Sequence, residues 1–300
     1  SGSSLMRVAV TGASGLIGRA LCADLTADNH DVVRLVRRTP SAPDELGWDP
    51  VNGEVDLAGL EGVDVIVHLA GAGVGDHRWT EQYKAEIRDS RVLGTTTIAS
   101  AAAALVRKPR ALISASAIGY YGDRGDERLT EASDKGTGFL SDVVADWEAA
   151  ADPARHAGIR VAHPRTGLVV SSEGGAWQRM IKLFKFGIGG RLGQGEQYWS
   201  FISIADEIAA LRFLIDNESL DGAFNLTAPH PVTNREATAD LAAALKRPAK
   251  LPVPSFALRV ALGEFSIEVL GSSRVIPTRL TEAGFAWTAP TMPEALEQIL

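Results

Sequence analysis

Three glycines at intervals of three, Gly12, Gly15 and Gly18, stand between an apolar run at 8–10 and a segment at 17–27 whose apolar residues recur at helical spacing. A chain passing from strand to helix through so bare a corner has few options. Without side chains in the way, backbone N–H groups can approach a pyrophosphate, and the helix N-terminus adds partial positive charge. The same glycines would also serve a tight turn that packs the helix closely on its strand. A P-loop is excluded, because no Gly-Lys-Ser/Thr follows.

The rest of the chain repeats this rhythm. Short apolar runs at 32–36, 63–69, 111–114, 160–162 and 223–226 read as strands, separated by helical patterns at 83–105, 139–156 and 206–215. Continuous apolar strands alternating with helices predict an α/β fold, a Rossmann-type doubly wound parallel sheet covered on both faces. After about residue 171 glycines and prolines become frequent (Gly187, Gly189, Gly190, Gly193 and Gly195, then Pro252, Pro254, Pro277 and Pro290). The expected division is therefore a nucleotide-binding domain at 6–170 and a smaller C-terminal, substrate-facing lobe at 171–300, with 201–226 returning to the sheet. Leu241, Ala244 and Leu245, with Leu258, Val260 and Leu262, are expected to supply core.

With 45% hydrophobic residues and a mean hydropathy near zero, 300 residues suit a globular chain. No apolar run approaches the roughly 18 residues of a membrane helix, so no membrane association is expected. Residues 1–5 read as a non-native leader before a start at Met6. Cys22 is the sole cysteine and cannot form an internal disulfide, which with the missing signal pattern points to the cytoplasm. The net charge of −7 argues against nucleic-acid binding, and the basic groups Arg34, Arg37 and Arg38, then Arg107, Lys108 and Arg110, are too short for a phosphate-tracking stripe. No His, Asp and Glu grouping has metal-ligand spacing.

Arg37 and Arg38 stand at the end of the second strand, about 19 positions past Gly18. An acidic residue there would bond the adenosine ribose of NAD, whereas a guanidinium grips a 2′-phosphate, so the pair favours NADP(H).

Thr11-Gly12-Ala13-Ser14-Gly15-Leu16-Ile17-Gly18 resembles the Thr-Gly-x-x-Gly-x-x-Gly signature of the extended short-chain dehydrogenase/reductase superfamily. His68-Leu69-Ala70-Gly71 resembles its fourth-strand motif beside the cofactor. Ser90-Arg91-Val92-Leu93-Gly94-Thr95 resembles its helix motif, and the run Ser114 to Gly122 its fifth-strand serine loop. Arg78-Trp79-Thr80, Asp146-Trp147-Glu148, Pro164-Arg165-Thr166-Gly167 and Gly284-Phe285-Ala286-Trp287 resemble, more narrowly, its nucleoside-diphosphate-sugar epimerase branch, a cell-division-inhibitor-related family. The likeness spans essentially the whole chain. It implies NADP bound by Gly12, Ser14, Gly15, Leu16, Ile17, Gly18, Arg37, Arg38, Leu69, Ala70, Gly71 and Arg91.

The superfamily's chemistry implies a Ser, Tyr, Lys set, with lysine four positions after tyrosine lowering a phenol pKa that is otherwise near 10. Ser116 matches the serine. The four tyrosines, Tyr83, Tyr120, Tyr121 and Tyr198, are followed four positions on by Ile87, Arg124, Gly125 and Ile202, so the pair is missing. Its helix survives, with Phe139 or Leu140 at the tyrosine position and Val143 or Val144 at the lysine position. Ser116, Tyr120 and Tyr121 are the catalytic candidates, with Arg124 or Arg165 assisting; the plainer role for Tyr121 is packing and for Tyr120 lining a cavity. His68 and His163 read as structural. Arg78 and Trp79, with Arg191 and Trp199 around the glycine-rich 187–195 segment, could face substrate or serve as scaffolding.

Two functions fit these residues. One is an NADP(H)-dependent oxidoreductase or epimerase-like enzyme acting on an unknown small hydroxylated or carbonyl substrate. The other is a non-catalytic NADP(H)-binding sensor read by a protein partner that the residues do not identify.

Overall fold

The structure, a computed structural model, describes residues 4–300, so Ser1 to Ser3 of the expected leader fall outside the described residues. The apolar runs become strands β1 (Arg7–Thr11), β2 (Asp31–Val36), β3 (Glu45–Asp49), β4 (Glu54–Val55), β5 (Val65–His68), β6 (Ala111–Ser114), β7 (Arg160–Thr166) and β8 (Gly222–Leu226). They form one nine-stranded sheet in the order β8-β7-β6-β5-β1-β2-β3-β4, the short strand Ser116–Ala117 pairing beside β7. Neighbours run parallel except β3 with β4. The central strands are apolar throughout because both faces are covered: Val8, Ala9, Val10, Ile66, Val67, Leu112 and Ile113 are inaccessible to solvent.

Helices α1 (Leu16–Ala27), α2 (Glu81–Ala104), α3 (Phe139–Ala149), α4 (Gly175–Lys185), α5 (Ile204–Asp216) and α6 (Asn234–Leu245) do the covering. On one face, Leu21 and Leu25 of α1 and Leu211 and Leu214 of α5 meet Val10, Val67 and Phe224. On the other, Ile98, Ala99 and Ala102 of α2 meet Leu35, Ile66 and Leu112. A separate core joins Trp177, Ile181 and Phe184 of α4 to Leu241 of α6 and to Met292 and Leu296. From β1 the chain builds outward to β4, then returns to lay β5 on the opposite edge of β1. That reversal opens a crevice beyond the carboxyl ends of β1 and β5, where the glycine corner lies.

Several expectations are corrected. The helical pattern at 139–156 is two helices, Phe139–Ala149 and Asp152–His156, the second opening with Pro153, whose missing N–H is harmless only in a first turn. Strands β3 and β4 were not legible; β3 buries only Leu46 and Trp48 among polar neighbours. Within 201–226, β8 pairs with β7, but Phe201–Ser203 pairs with Leu168–Val170 in a two-stranded sheet of its own. Val260 is 74% exposed, since a residue two positions from buried Leu258 on a helix points the other way. Ala244 is exposed as well. No helix among the described residues is long and apolar enough to cross a membrane.

Candidate functional site

The corner between β1 and α1 uses its glycines for different reasons. Gly12 sits at φ +67°, and a Cβ there would lie 2.8 Å from the backbone of Leu69 and Ala70. A Cβ on Gly18 would lie 2.1 Å from the Gly12 carbonyl oxygen, so this glycine lets α1 pack on the turn. Gly15 differs, because its Cβ would meet nothing nearer than the Gly12 oxygen at 3.4 Å and nothing in the fold requires it bare. Gly15 also caps α1 without a side-chain hydrogen bond, and no acid stands in the first turn. The first backbone bond into the helix is Arg19 N–H to Gly15 O, leaving the N–H groups of Leu16, Ile17 and Gly18 without acceptors among the described residues. These donors, beside the exposed Ser14, face the crevice as an anion cradle.

The floor is fixed by a threonine and a histidine. The Thr11 hydroxyl oxygen accepts from Leu69 N–H (3.0 Å) and Ala70 N–H (3.2 Å), which uses its lone pairs, so its proton goes to His68 Nδ1 at 2.7 Å. The His68 proton therefore resides on Nε2 and is donated to Thr95 Oγ1 at 3.0 Å. Complete burial pushes the imidazole down to about 3, so it stays neutral. His68 holds the 69–71 loop in place. Arg91 rises beside that loop, donating to the carbonyl of Ala72 (2.7 Å) and lying 4.8 Å from the Trp147 ring, and its side chain is 3.4 Å from where a Gly71 Cβ would be.

The two arginines expected at the 2′-phosphate part company. Arg38 donates through both terminal nitrogens to Glu45, and that guanidinium holds the Glu45 carboxyl down to about 2. Arg37, exposed at the end of β2, enters none of the ion pairs formed by the described residues. A neighbouring anion would find Arg37 available and Arg38 already engaged.

Beyond β6 lies a buried polar cluster. Ser116 Oγ donates to Glu148 Oε2 at 2.6 Å. Arg165, on β7, grips the same carboxylate in a fork, Nε to Oε2 at 2.8 Å and Nη2 to Oε1 at 2.9 Å. Its remaining nitrogen donates to the Tyr121 hydroxyl (3.0 Å), which donates in turn to Asn225 Oδ1 (2.7 Å). The Tyr120 ring lies 3.6 Å from the guanidinium carbon. Burial would raise the Glu148 carboxyl, but the Arg165 fork outweighs it and keeps the group below its ordinary range. The cluster thus contains a carboxylate that is ionised at neutral pH.

This arrangement separates the catalytic candidates. Tyr121 is inaccessible to solvent, burial pushes its hydroxyl up to about 12, and its proton is committed to Asn225. Tyr120 is half-buried with its ring under Arg165. Arg124 binds Glu127 and the Asp134 carbonyl instead of either tyrosine. His163, pushed down to about 4 by burial, donates from Nδ1 to the Ser114 carbonyl (3.0 Å) and accepts from Arg155 at Nε2. Arg78 donates to the carbonyls of Val260 and Ala261, the Trp79 ring packs against Phe265, and buried Trp199 donates to the Val269 carbonyl, so these three brace the C-terminal region. Arg191 stays exposed.

Glu148 was missed as a site residue although Asp146-Trp147-Glu148 stood out as a motif. On α3, Leu140 and Val144 face Gly119 of the serine loop, so of the residues expected at the tyrosine and lysine positions these two border that loop. Glu148 lies one turn beyond Val144 on that face, and an acid continuing an apolar stripe was the available signal.

Comparison with known proteins agrees with this geometry. Residues 8–227 match the NAD dependent epimerase/dehydratase family, and residues 253–299 match a domain of unknown function, DUF1731. An epimerase family protein of Mycobacterium leprae is 47% identical over 290 residues, covering 96% of this chain and 94% of the relative. The chloroplastic homolog of epimerase family protein SDR39U1 from Arabidopsis thaliana is 35% identical, covering 99% of this chain and 87% of the relative. Among solved structures, human epimerase family protein SDR39U1 (isoform 2) with NADPH superposes with a TM-score of 0.90 at 31% identity, covering 98% of this chain and 99% of the human one. A nucleoside-diphosphate sugar epimerase from Corynebacterium glutamicum gives 0.82 at 37% identity over 98% of this chain, which spans 57% of that protein. The glycine corner, the switch-point crevice and the serine loop lie within the matched span, and the chain belongs to the NAD dependent epimerase/dehydratase family.

Proposed function

We propose that this chain binds NADP(H) and acts as an epimerase-like oxidoreductase on a small hydroxylated or carbonyl substrate, without the usual tyrosine and lysine. The observation that carries the cofactor choice is Arg37, which enters no ion pair among the described residues and stands at the end of β2, the strand next to β1 and its glycine corner. The human relative whose structure contains NADPH supports the same choice. Buried Cys22, unpaired, fits a cytoplasmic setting.

NADP(H), held by the corner at Gly12, Gly15 and Gly18 and by Arg37, would supply hydride transfer. The chain's own groups act by position. Because Ser116 gives its proton to a carboxylate that stays ionised, its oxygen offers lone pairs to whatever lies opposite. Ser116 therefore orients a substrate hydroxyl by accepting its proton in a hydrogen bond. Tyr120, held under Arg165, is the one candidate left to exchange a proton with substrate.

Calorimetry with NADPH and NADH tests the cofactor reading. Arg37→Glu should weaken NADPH binding about tenfold or more and leave NADH nearly unchanged, as expected for loss of one charge-assisted phosphate contact. Equal losses for both would remove the 2′-phosphate role. A sensor without turnover is the second reading, favoured by the commitment of the Tyr121 proton and by the apolar residues at Leu140 and Val144. Following NADPH absorbance over a panel of carbonyl compounds separates the two. Turnover that Ser116→Ala abolishes supports the enzyme, and binding with no turnover anywhere supports the sensor.

A further inference from the structure

Helix α4 presents two different faces. Trp177, Ile181 and Phe184, at positions i, i+4 and i+7, are buried against α6 and the C-terminal helix. The opposite stripe, Arg179, Lys182, Leu183 and Phe186 at i, i+3, i+4 and i+7, faces solvent. Leu183 is 47% and Phe186 72% exposed, and just beyond them Ile188 is 53% and Leu251 59% exposed. Backbone contacts bring these segments together. Ile188 N–H donates back to the Leu183 carbonyl, and the Leu251 carbonyl lies against Gly190.

Cations surround these apolar groups. Arg179, Lys182 and Lys185 come from α4, and Lys246, Arg247 and Lys250 from the end of α6 and the segment after it; Arg247 Nε donates to the Lys185 carbonyl, which ties the two sources together. All six are exposed, and none joins an ion pair among the described residues. On a chain of net charge −7 this is a local concentration of unneutralised positive charge.

We propose that this face of α4 and the end of α6 docks on an anionic membrane surface, Leu183, Phe186, Ile188 and Leu251 entering the headgroup boundary while the six cations meet lipid phosphates. The charge calls for an anionic partner. Protruding apolar side chains with a cationic surround, four of the six being flexible, strongly hydrated lysines, suit a continuous charged interface better than the bidentate pairing of an acidic protein. The expectation of no membrane contact followed from the lack of a spanning segment, which does not bear on one peripheral face.

The test is co-sedimentation of the full chain with vesicles of phosphatidylglycerol and phosphatidylcholine in equal parts, and with phosphatidylcholine alone. The protein should sediment with the anionic vesicles only and be released in 1 M salt, where the screening length is about 3 Å. Lys182→Glu with Lys185→Glu should lower partition more than about tenfold, and Phe186→Ser about tenfold. Thermal unfolding of each variant, unchanged from the parent, shows that the fold is intact. No sedimentation at low salt overturns the proposal, as does sedimentation indifferent to these substitutions. Capture of the chain by polyglutamate, sensitive to the same variants and without vesicle binding, would assign the face to an acidic protein and overturn it equally.

Discussion

Glu148 and Arg165 are each nearly enclosed, their side chains 14% and 6% exposed, and each is the other's counterion. Removing one partner strands a charge in a poorly solvated place, which typically costs about 3–5 kcal/mol, whereas removing both at similar volume is often nearly neutral. Arg165→Met and Glu148→Gln should therefore each destabilise the protein by a few kcal/mol in urea unfolding, and the double variant should recover a large part of that loss. Single losses below about 1 kcal/mol would mean that water reaches the cluster and that Ser116 is not held by a fixed carboxylate. The pairing also marks a limit of sequence reading. Ser116, Tyr120 and Tyr121 announce themselves within one loop, but Glu148 and Arg165 come from a helix and a strand 17 residues apart, and only the packing of α3 on the serine loop, whose strand Ser116–Ala117 pairs beside Arg165, brings them together. Arg38 poses the same difficulty in reverse, since nothing in the chain's order reveals that it pairs with Glu45 at the start of β3.

The βα corner was the most legible element, because a glycine spacing between apolar runs encodes backbone demands directly. Its strand, its helix and the parallel partners of the strand followed from continuous apolar runs, while β3 and β4, with little apolar content, did not. What the spacing could not reveal is that the three glycines carry separable duties. An alanine methyl at Gly18 would press on the Gly12 carbonyl, and α1 would have to move away from the turn. Overpacking of this kind costs about 1–3 kcal/mol. At Gly15 the same methyl meets only the Gly12 oxygen, at an ordinary contact distance of 3.4 Å, beside the donors of Leu16 and Ile17 that lack acceptors among the described residues. Gly15→Ala should leave the unfolding midpoint nearly unchanged yet weaken NADPH binding by tenfold or more in calorimetry, whereas Gly18→Ala should lower both. Unimpaired binding in Gly15→Ala would show that the corner's bareness serves packing alone.

The molecule as a whole carries a titration that no motif disclosed. Glu207 sits in the first turn of α5 at 1% exposure, accepts a hydrogen bond from Thr166 at 2.7 Å, and has no partner for its second oxygen among the described residues. Burial pushes its carboxyl up to about 8 from an ordinary value of 4.5. Between those values the native protein holds a proton that the unfolded chain has released, so folding stability falls as pH rises through this window and levels off once the native group ionises. At about 1.4 kcal/mol for each pH unit, the loss amounts to several kcal/mol. Because α5 covers the sheet beside α1 and Thr166 ends β7, an ionised Glu207 strains the packing that positions both the glycine corner and Arg165. Urea unfolding from pH 5 to pH 9 should show this decline in the parent, and Glu207→Gln, which keeps the shape and removes the charge, should flatten it and be the more stable form at pH 9. A decline of equal slope in both proteins would assign the pH dependence elsewhere and imply that water already solvates the Glu207 carboxylate.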